Sequence, residues 1–469
     1  MQKCDTLFFQ EKGLALFSSV LLVILSIVFF QEEALAVPIF ARKYATSCTT
    51  CHVAFPKLNA FGEAFKTNGY RLPNDEVFVK EPPVWLGSEA YKRVWPNAVY
   101  PGAIPGNVPI SLRMIGQGVY DRSKLTTSGD ARTDFEFPHE IELNSLGTMG
   151  DNLSFDLDYA FQDENERSIV ERVFLGYNDI LAGKFGIPRH LLNMRLGLID
   201  PMVIPFSMSN QRLTTSRPTI YNFRISSGSQ PRLTDSQTGI ELFGVVDKRF
   251  RYAGGVVNGV VRDGATEAFT DNNSQKDGYA RAEYKFGGLP FTGEADSDAK
   301  DQLGSGFPYF DQGPSLTLGS TGYYGINQID APTDTNSEYH RILGFARANY
   351  ERYNVDAVYL YQLDDAAAGQ FNGTIAGDEN IDTWGFYVEG SAVIYPWMIF
   401  VARYDRLNIE HITILGASNP RDSTSRLTLS LPVYARPNLR IVPEISVGLS
   451  DSHDANASDS YLIRLDFAY

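Results

Sequence analysis

The sequence of 469 residues is short of cysteine, of net positive charge and of apolar runs beyond its first forty residues. Three cysteines are too few for a disulfide framework. The 41 Lys and Arg residues are outnumbered by 56 Asp and Glu residues, and the net charge of -15 offers no basic surface for nucleic acid. No later run is long and apolar enough for a membrane helix. What is abundant is Gly, Tyr and Phe, which is typical of β-barrels.

The first 36 residues have the pattern of an export signal. Lys3 and Lys12 lie near the start, and an apolar run extends from 13 to 30. Ala34-Leu35-Ala36 then has the small residues of a cleavage site. The mature chain is therefore predicted to begin near Val37, without Cys4. A retained transmembrane helix is the alternative, because the apolar run is long for a signal core.

The motif Cys48-Thr49-Thr50-Cys51-His52 predicts one covalently bound haem c. Cys48 and Cys51 have the spacing that forms thioethers with the two vinyl groups, and His52 is placed to be the proximal ligand of the haem iron. Structural zinc would need a second ligand pair, and none follows the motif. A thioredoxin-like redox pair would need a βαβ setting, which is absent from the pattern.

Residues 37–75 are predicted to form a small α-helical monohaem segment, and 76–108 a linker. Phe55, Leu58, Gly62 and Phe65 recur at helical spacing, and Asn68-Gly69 is a typical helix end. About forty residues are too few to bury a haem alone. The usual sixth iron ligands are also missing nearby, since no Met and no second His occurs between His52 and Met114. Candidates lie further along the chain: Met194, Met202 and Met208.

From residue 109 to 469 the sequence predicts an all-β fold, an outer-membrane antiparallel β-barrel of about sixteen strands. In one run Leu153, Phe155, Leu157, Tyr159 and Phe161 alternate with polar residues, the period of a strand with lipid on one face and water on the other. A half-buried strand of a soluble sandwich alternates in the same way. The predicted strands are 109–121, 134–146, 152–162, 169–177, 180–188, 236–246, 249–261, 277–286, 290–297, 338–349, 354–363, 382–394, 397–408, 423–433, 438–450 and 459–469.

The loops and the last strand favour a membrane barrel. Connections from even to odd strands are short and most of the others are long, which predicts that both termini are periplasmic. The last strand carries an apolar stripe that ends in an aromatic residue: Tyr461, Ile463, Leu465, Phe467 and Tyr469. Strand 10 could instead lie near 317–326, so fourteen or eighteen strands remain possible. Sixteen strands enclose a wide lumen, so we expect the haem segment to plug its periplasmic end.

The haem segment resembles the fused monohaem cytochrome-porins of iron-oxidising bacteria. The resemblance covers about thirty residues: Phe40-Ala41-Arg42-Lys43-Tyr44, Ser47 to His52, Ala54-Phe55-Pro56-Lys57-Leu58-Asn59, Phe61-Gly62, Phe65 and Asn68-Gly69-Tyr70. It implies an Fe(II)-oxidising oxidoreductase of the bacterial outer membrane that passes electrons to a periplasmic cytochrome c or copper protein. It also implies haem roles for Cys48, Cys51 and His52.

Two other functions stay open at this stage: a general extracellular electron conduit with another donor or acceptor, and a transport porin whose haem is structural. Fe(II) oxidation is an outer-sphere electron transfer and needs no acid-base pair. Acidic side chains predicted to face the lumen or the loops could attract Fe(II) electrostatically. These are Glu140, Glu142, Asp156, Asp158, Asp296, Asp298, Asp301, Asp364 and Asp365.

Overall fold

The fold is seen in a computed structural model. It describes residues 39–44, 46–72, 84–85, 103–104, 109–121, 133–149, 152–163, 166–182, 184, 186–206, 211–223, 230–260, 274–294, 309–329, 335–365, 380–410, 421–449 and 459–469. The predicted signal segment and most of the predicted linker lie outside these residues. Among the described residues, no helix has the length and apolar character needed to cross a membrane.

Sixteen antiparallel strands form a closed barrel in which the last strand pairs with the first. The fourteenth strand is interrupted, but both of its parts pair with the same two neighbours. The strands are β1 Ile110–Asp121, β2 Thr133–Met149, β3 Leu153–Asp163, β4 Glu166–Tyr177, β5 Asn193–Ile199, β6 Gln237–Val246, β7 Phe250–Val257, β8 Asp277–Gly287, β9 Ser315–Ile329, β10 Thr335–Tyr350, β11 Tyr353–Asp364, β12 Ile381–Tyr395, β13 Met398–Glu410, β14 Arg421–Ser430 with Val433–Arg436, β15 Leu439–Gly448 and β16 Ser460–Ala468.

Side-chain alternation divides the barrel into an apolar outer face and a charged inner face. In β3, Leu153 and Phe161 are exposed on the outside, while Asp156 and Asp158 are buried inside. In β16, the predicted apolar stripe faces outward and Arg464 faces inward. Closed antiparallel barrels with an even strand count and an apolar belt are typical of the bacterial outer membrane, because closure leaves no unpaired strand edge in lipid. The predicted fold class is confirmed.

Two predicted strands were wrong, at 180–188 and 290–297. The first is a turn region with positive φ at Asp179, Leu181 and Gly186, and the strand that follows β4 is β5. The second also contains a turn, with positive φ at Gly293, and the ninth strand is β9, close to the alternative near 317–326. Short apolar runs interrupted by glycine match a strand in composition but bend in the structure. Because each wrong strand is replaced by one nearby, the count of sixteen is unchanged.

Most connections from even to odd strands are short, as predicted, but a few connections depart from the predicted lengths. Turns from even to odd strands are mostly tight, for example between β10 and β11 or between β12 and β13. The connections from β4 to β5 and from β8 to β9 are longer, and both contact the N-terminal residues. On the opposite side, the connection between β3 and β4 is short.

The connection between β5 and β6 folds into the lumen. Its short helix α3, Thr219–Asn222, packs on β12, where the hydroxyls of Tyr221 and Tyr387 lie 3.1 Å apart. Earlier in the same connection, the backbone N of Thr215 donates to Glu444 of β15 at 2.6 Å. This inward loop therefore crosses the barrel interior and narrows it.

Candidate haem-attachment site

The predicted haem residues lie in a compact N-terminal segment, residues 39–44 and 46–72. It begins with helix α1, Ile39–Tyr44, and continues with a 3-10 turn, Cys48–Thr50. A hairpin then pairs His52–Ala54 with Lys57–Leu58, and helix α2 spans Ala60–Thr67. The predicted helix is thus shorter than its apolar spacing indicated, because Phe55 and Leu58 belong to the hairpin. Gly69 follows the helix with a φ of 69°, as expected for a glycine at a helix end.

Asn59 joins the cysteine-bearing turn to α2. Its side-chain Oδ1 accepts a hydrogen bond from the backbone N of Gly62 at 2.9 Å and thereby caps the helix. Its Nδ2 donates to the carbonyl oxygens of Thr49 and Thr50 at 3.2 and 3.1 Å. Its backbone N donates to the Cys51 carbonyl oxygen at 3.0 Å. One side chain therefore holds the motif and the helix in a fixed relation.

Gly62 allows α2 to pass directly over the motif. A Cβ at this position would lie 2.0 Å from the carbonyl oxygen of Cys51, a backbone atom that cannot move aside cheaply. The predicted apolar pattern counted Gly62 among the core positions without assigning it this role. The close approach explains why the position needs glycine.

His52 has the environment of a metal-binding imidazole. Its Nδ1 donates to the carbonyl oxygen of Pro56 at 3.2 Å, which leaves the Nε2 lone pair available to iron. Burial lowers the pKa of His52 to about 4, so the ring is neutral near neutral pH, as a ligand must be. The residues therefore fit a c-type haem with His52 as its proximal ligand.

Cys48 and Cys51 are unpaired and partly exposed. Thr49 and Thr50 beside them are exposed, so this side of the segment faces away from the packed interior. Among the described residues, the only cluster of three or more metal-ligating side chains is Glu140, Glu142 and Glu171, far from the motif in sequence. Within the part of the chain that the structure describes, the cysteine pair therefore has no further ligands of the kind that a structural zinc needs.

The aromatic residues of the segment pack on one another. The Phe40 ring lies 4.9 Å from that of Phe65 and 5.2 Å from that of Tyr70, measured between centroids. Tyr44 meets Phe65 edge to face at 5.8 Å. Such pairs each contribute about 0.5–1.5 kcal/mol beyond burial alone. They form the small core that so short a segment can build.

The segment lies inside the barrel, at the end where β1 begins and β16 ends, and polar contacts fix it to the wall. Lys57 donates to Asn354 at 2.9 Å and lies 3.7 Å from Asp356, while Glu63 pairs with Arg347 at 2.6 Å. Tyr70 donates to Asp156, and burial raises the Tyr70 pKa well above its usual range. Further contacts are Arg71 with Asp179 at 3.0 Å, Asn68 Nδ2 with the Thr292 carbonyl at 2.9 Å and Ala60 N with the Phe310 carbonyl at 3.0 Å.

Of the three methionines predicted as sixth-ligand candidates, the two that the structure describes do not converge on His52. Met194 is on the outer face of β5, opposite the outward-facing Tyr177 and Leu242, so it points toward lipid. Met202 lines an internal cavity whose lining does not include Cys48, Cys51 or His52. Met208 lies outside the described residues.

The acidic residues predicted to attract Fe(II) into the lumen are already paired. Arg172 lies 3.3 Å from Asp156 and 2.8 Å from Asp158. Arg113 lies 3.7 Å from Glu140 and 3.3 Å from Glu142, so the glutamate cluster is partly neutralised as well. Asp364 accepts hydrogen bonds from Gln230 and Gln362. Asp296, Asp298 and Asp301 lie outside the described residues.

Comparisons with known proteins find similar solved structures but no family. No profile of a known protein family matches the chain, and no curated protein matches it. Solved structures with a similar barrel include the outer-membrane channel DcaP of Acinetobacter baumannii, at 10% identity and a TM-score of 0.49, covering 77% of this chain and 96% of that one. Salmonella typhi OmpF in complex with daunomycin is 10% identical with a TM-score of 0.49, and the match covers 77% of this chain and 97% of that one. The anion-selective porin from Comamonas acidovorans is 12% identical with a TM-score of 0.47, and the match covers 77% of this chain and 99% of that one.

Proposed function

We propose that this protein is an outer-membrane c-type cytochrome that oxidises extracellular Fe(II) and passes the electrons to a periplasmic cytochrome c or copper protein. The observation that carries the proposal is a haem-attachment motif on a segment packed within a membrane barrel. A bound haem c would supply a one-electron redox centre. The choice of Fe(II) as donor rests on the resemblance of residues 40–70 to the cytochrome-porins of iron oxidisers.

The position of the segment supports transfer of electrons rather than passage of ions. The N-terminal segment fills the lumen from the end bearing the termini, and the inward loop crosses the lumen beyond it. The loop parity of bacterial barrels favours a periplasmic position for the end bearing the termini. The haem segment would then face a periplasmic electron acceptor, and the cell would be spared an open pore.

The charge of the lumen also favours transfer of electrons over passage of metal ions. The cavity between the segment and the inward loop is bordered by Arg172, Arg195, Arg251, Arg281 and Arg347. Guanidinium groups repel Fe(II), which would also lose hydration on entry. We therefore expect the metal ion to remain outside the lumen while its electron crosses.

Anaerobic titration of the purified protein with Fe(II) tests the proposal. We expect the haem absorption bands to change to those of the reduced form, whereas Mg(II) at the same ionic strength should leave them unchanged. A haem that ascorbate or dithionite reduces but Fe(II) does not would instead support a general electron conduit. A protein without haem bands would contradict both functions.

A further inference from the structure

We propose that the internal cavity binds a small, multiply charged oxyanion, of the carboxylate or phosphate class, between the N-terminal segment and the barrel wall. The cavity has a volume of about 100 Å³ and is partly open to solvent. Three parts of the molecule meet there: helix α2, the inner faces of the strands and the inward loop. This inference goes beyond the proposed electron transfer and does not depend on haem.

Cationic side chains outnumber carboxylates on the cavity surface. Seven face it, and three carboxylates do, namely Glu63, Asp156 and Asp200. Two of these carboxylates already pair with Arg172, and Glu63 pairs with Arg347. The seven cations are Lys57, Lys66, Arg172, Arg195, Arg251, Arg281 and Arg347.

The other partners of these arginines lie behind them, away from the cavity. Glu283 pairs with Arg251 at 2.7 Å and with Arg281 at 2.8 Å, and it is not part of the lining. Glu241 and Asp356 hold Arg195 and Arg347 in the same way, at 2.9 and 2.7 Å. Carboxylates placed on the wall side orient the guanidinium groups and leave the cavity face positive.

One cation on the cavity surface, Lys66, has unused hydrogen-bond donors. The Lys66 ammonium makes no hydrogen bond or ion pair with any residue that the structure describes. Burial, followed by the nearby Arg172, lowers the pKa of Lys66 to about 8, the direction expected for an amine among other cations. A bound oxyanion would satisfy the Lys66 ammonium.

The lining also indicates the size and character of the ligand. Phe174, Phe206, Phe243 and Met202 provide apolar surface beside the cations. Inorganic phosphate would use the cations alone, whereas a small di- or tricarboxylate would also place its carbon chain against the aromatic rings. Both share the charge-assisted hydrogen bonds to Lys66 and the arginines.

Isothermal titration calorimetry on the mature full-length protein in detergent tests the inference, with citrate and phosphate as separate probes at constant ionic strength. We expect saturable binding of at least one probe, with citrate ahead if the aromatic surface contributes. Lys66→Gln should weaken binding about tenfold, and Lys66→Arg should restore it. The matched control is Lys248→Gln, because Lys248 lies in a turn outside the cavity and pairs with Glu294 at 3.0 Å.

Two results would overturn the inference. One is the absence of saturable binding of either probe to the unmodified protein. The other is equal affinity of the Lys66→Gln variant and the unmodified protein. Strand content from circular dichroism will show that each variant is folded, so that a loss of binding reports on the site.

Discussion

Replacing both Cys48 and Cys51 with alanine should give a folded barrel that carries no covalently bound haem and is not oxidised or reduced by any iron species. The thioethers are the covalent bonds to the haem, and two thiols provide them. Barrel closure depends on the pairing of β16 with β1, in which neither cysteine takes part. Haem staining after denaturing electrophoresis, together with absorbance of the native protein, measures the loss.

Cys4→Ala is the matched control for this double variant. Cys4 precedes the predicted cleavage site at Ala34-Leu35-Ala36, so its replacement should change neither haem staining nor reduction by Fe(II). Covalent haem that survives in the double variant would place attachment elsewhere in the chain. A native protein that never stains would refute the haem assignment.

The second large effect is expected in ion conductance. The intact protein should pass little current in planar bilayers, and removal of residues 39–72 should raise the conductance by about tenfold or more. Sixteen strands enclose a water-filled channel when nothing occupies it. Removing the segment empties the end of the lumen where Lys57, Glu63 and Arg71 contact the wall.

Two conductance results would contradict this account of the segment. An intact protein that conducts like an open porin would show that the segment does not seal the lumen. A truncated barrel that still passes little current would identify the inward loop as the barrier to ions. Strand content from circular dichroism, compared with that of the intact protein, will show that the truncated barrel is folded.

The barrel could be predicted from the sequence because lipid and water impose a period of two on every strand. β3 and β16 follow that period without interruption, and the structure orients both as expected. β5 was misplaced because residues 180–188 have the composition of a strand while Asp179 and Leu181 adopt turn conformations. Local composition does not reveal a turn that distant packing stabilises.

The haem residues stay a prediction made from a local spacing, whereas the contacts that support the motif run across the chain. The hydrogen bonds of Asn59 and the close approach at Gly62 become visible only in three dimensions. The pairing of Asp158 with Arg172, which face each other across β3 and β4, also becomes visible only in three dimensions. Without the strand register, the carboxylates appeared free to attract Fe(II).

Transfer of electrons across a sealed membrane tests the central proposal most directly. Purified protein would be reconstituted in vesicles that enclose oxidised cytochrome c, with Fe(II) added outside under anaerobic conditions. The account predicts reduction of the enclosed cytochrome c by the native protein and none by vesicles that carry the Cys48→Ala, Cys51→Ala variant. Equal reduction with both proteins, or none with the native protein while its haem reacts with Fe(II) in detergent, would contradict it.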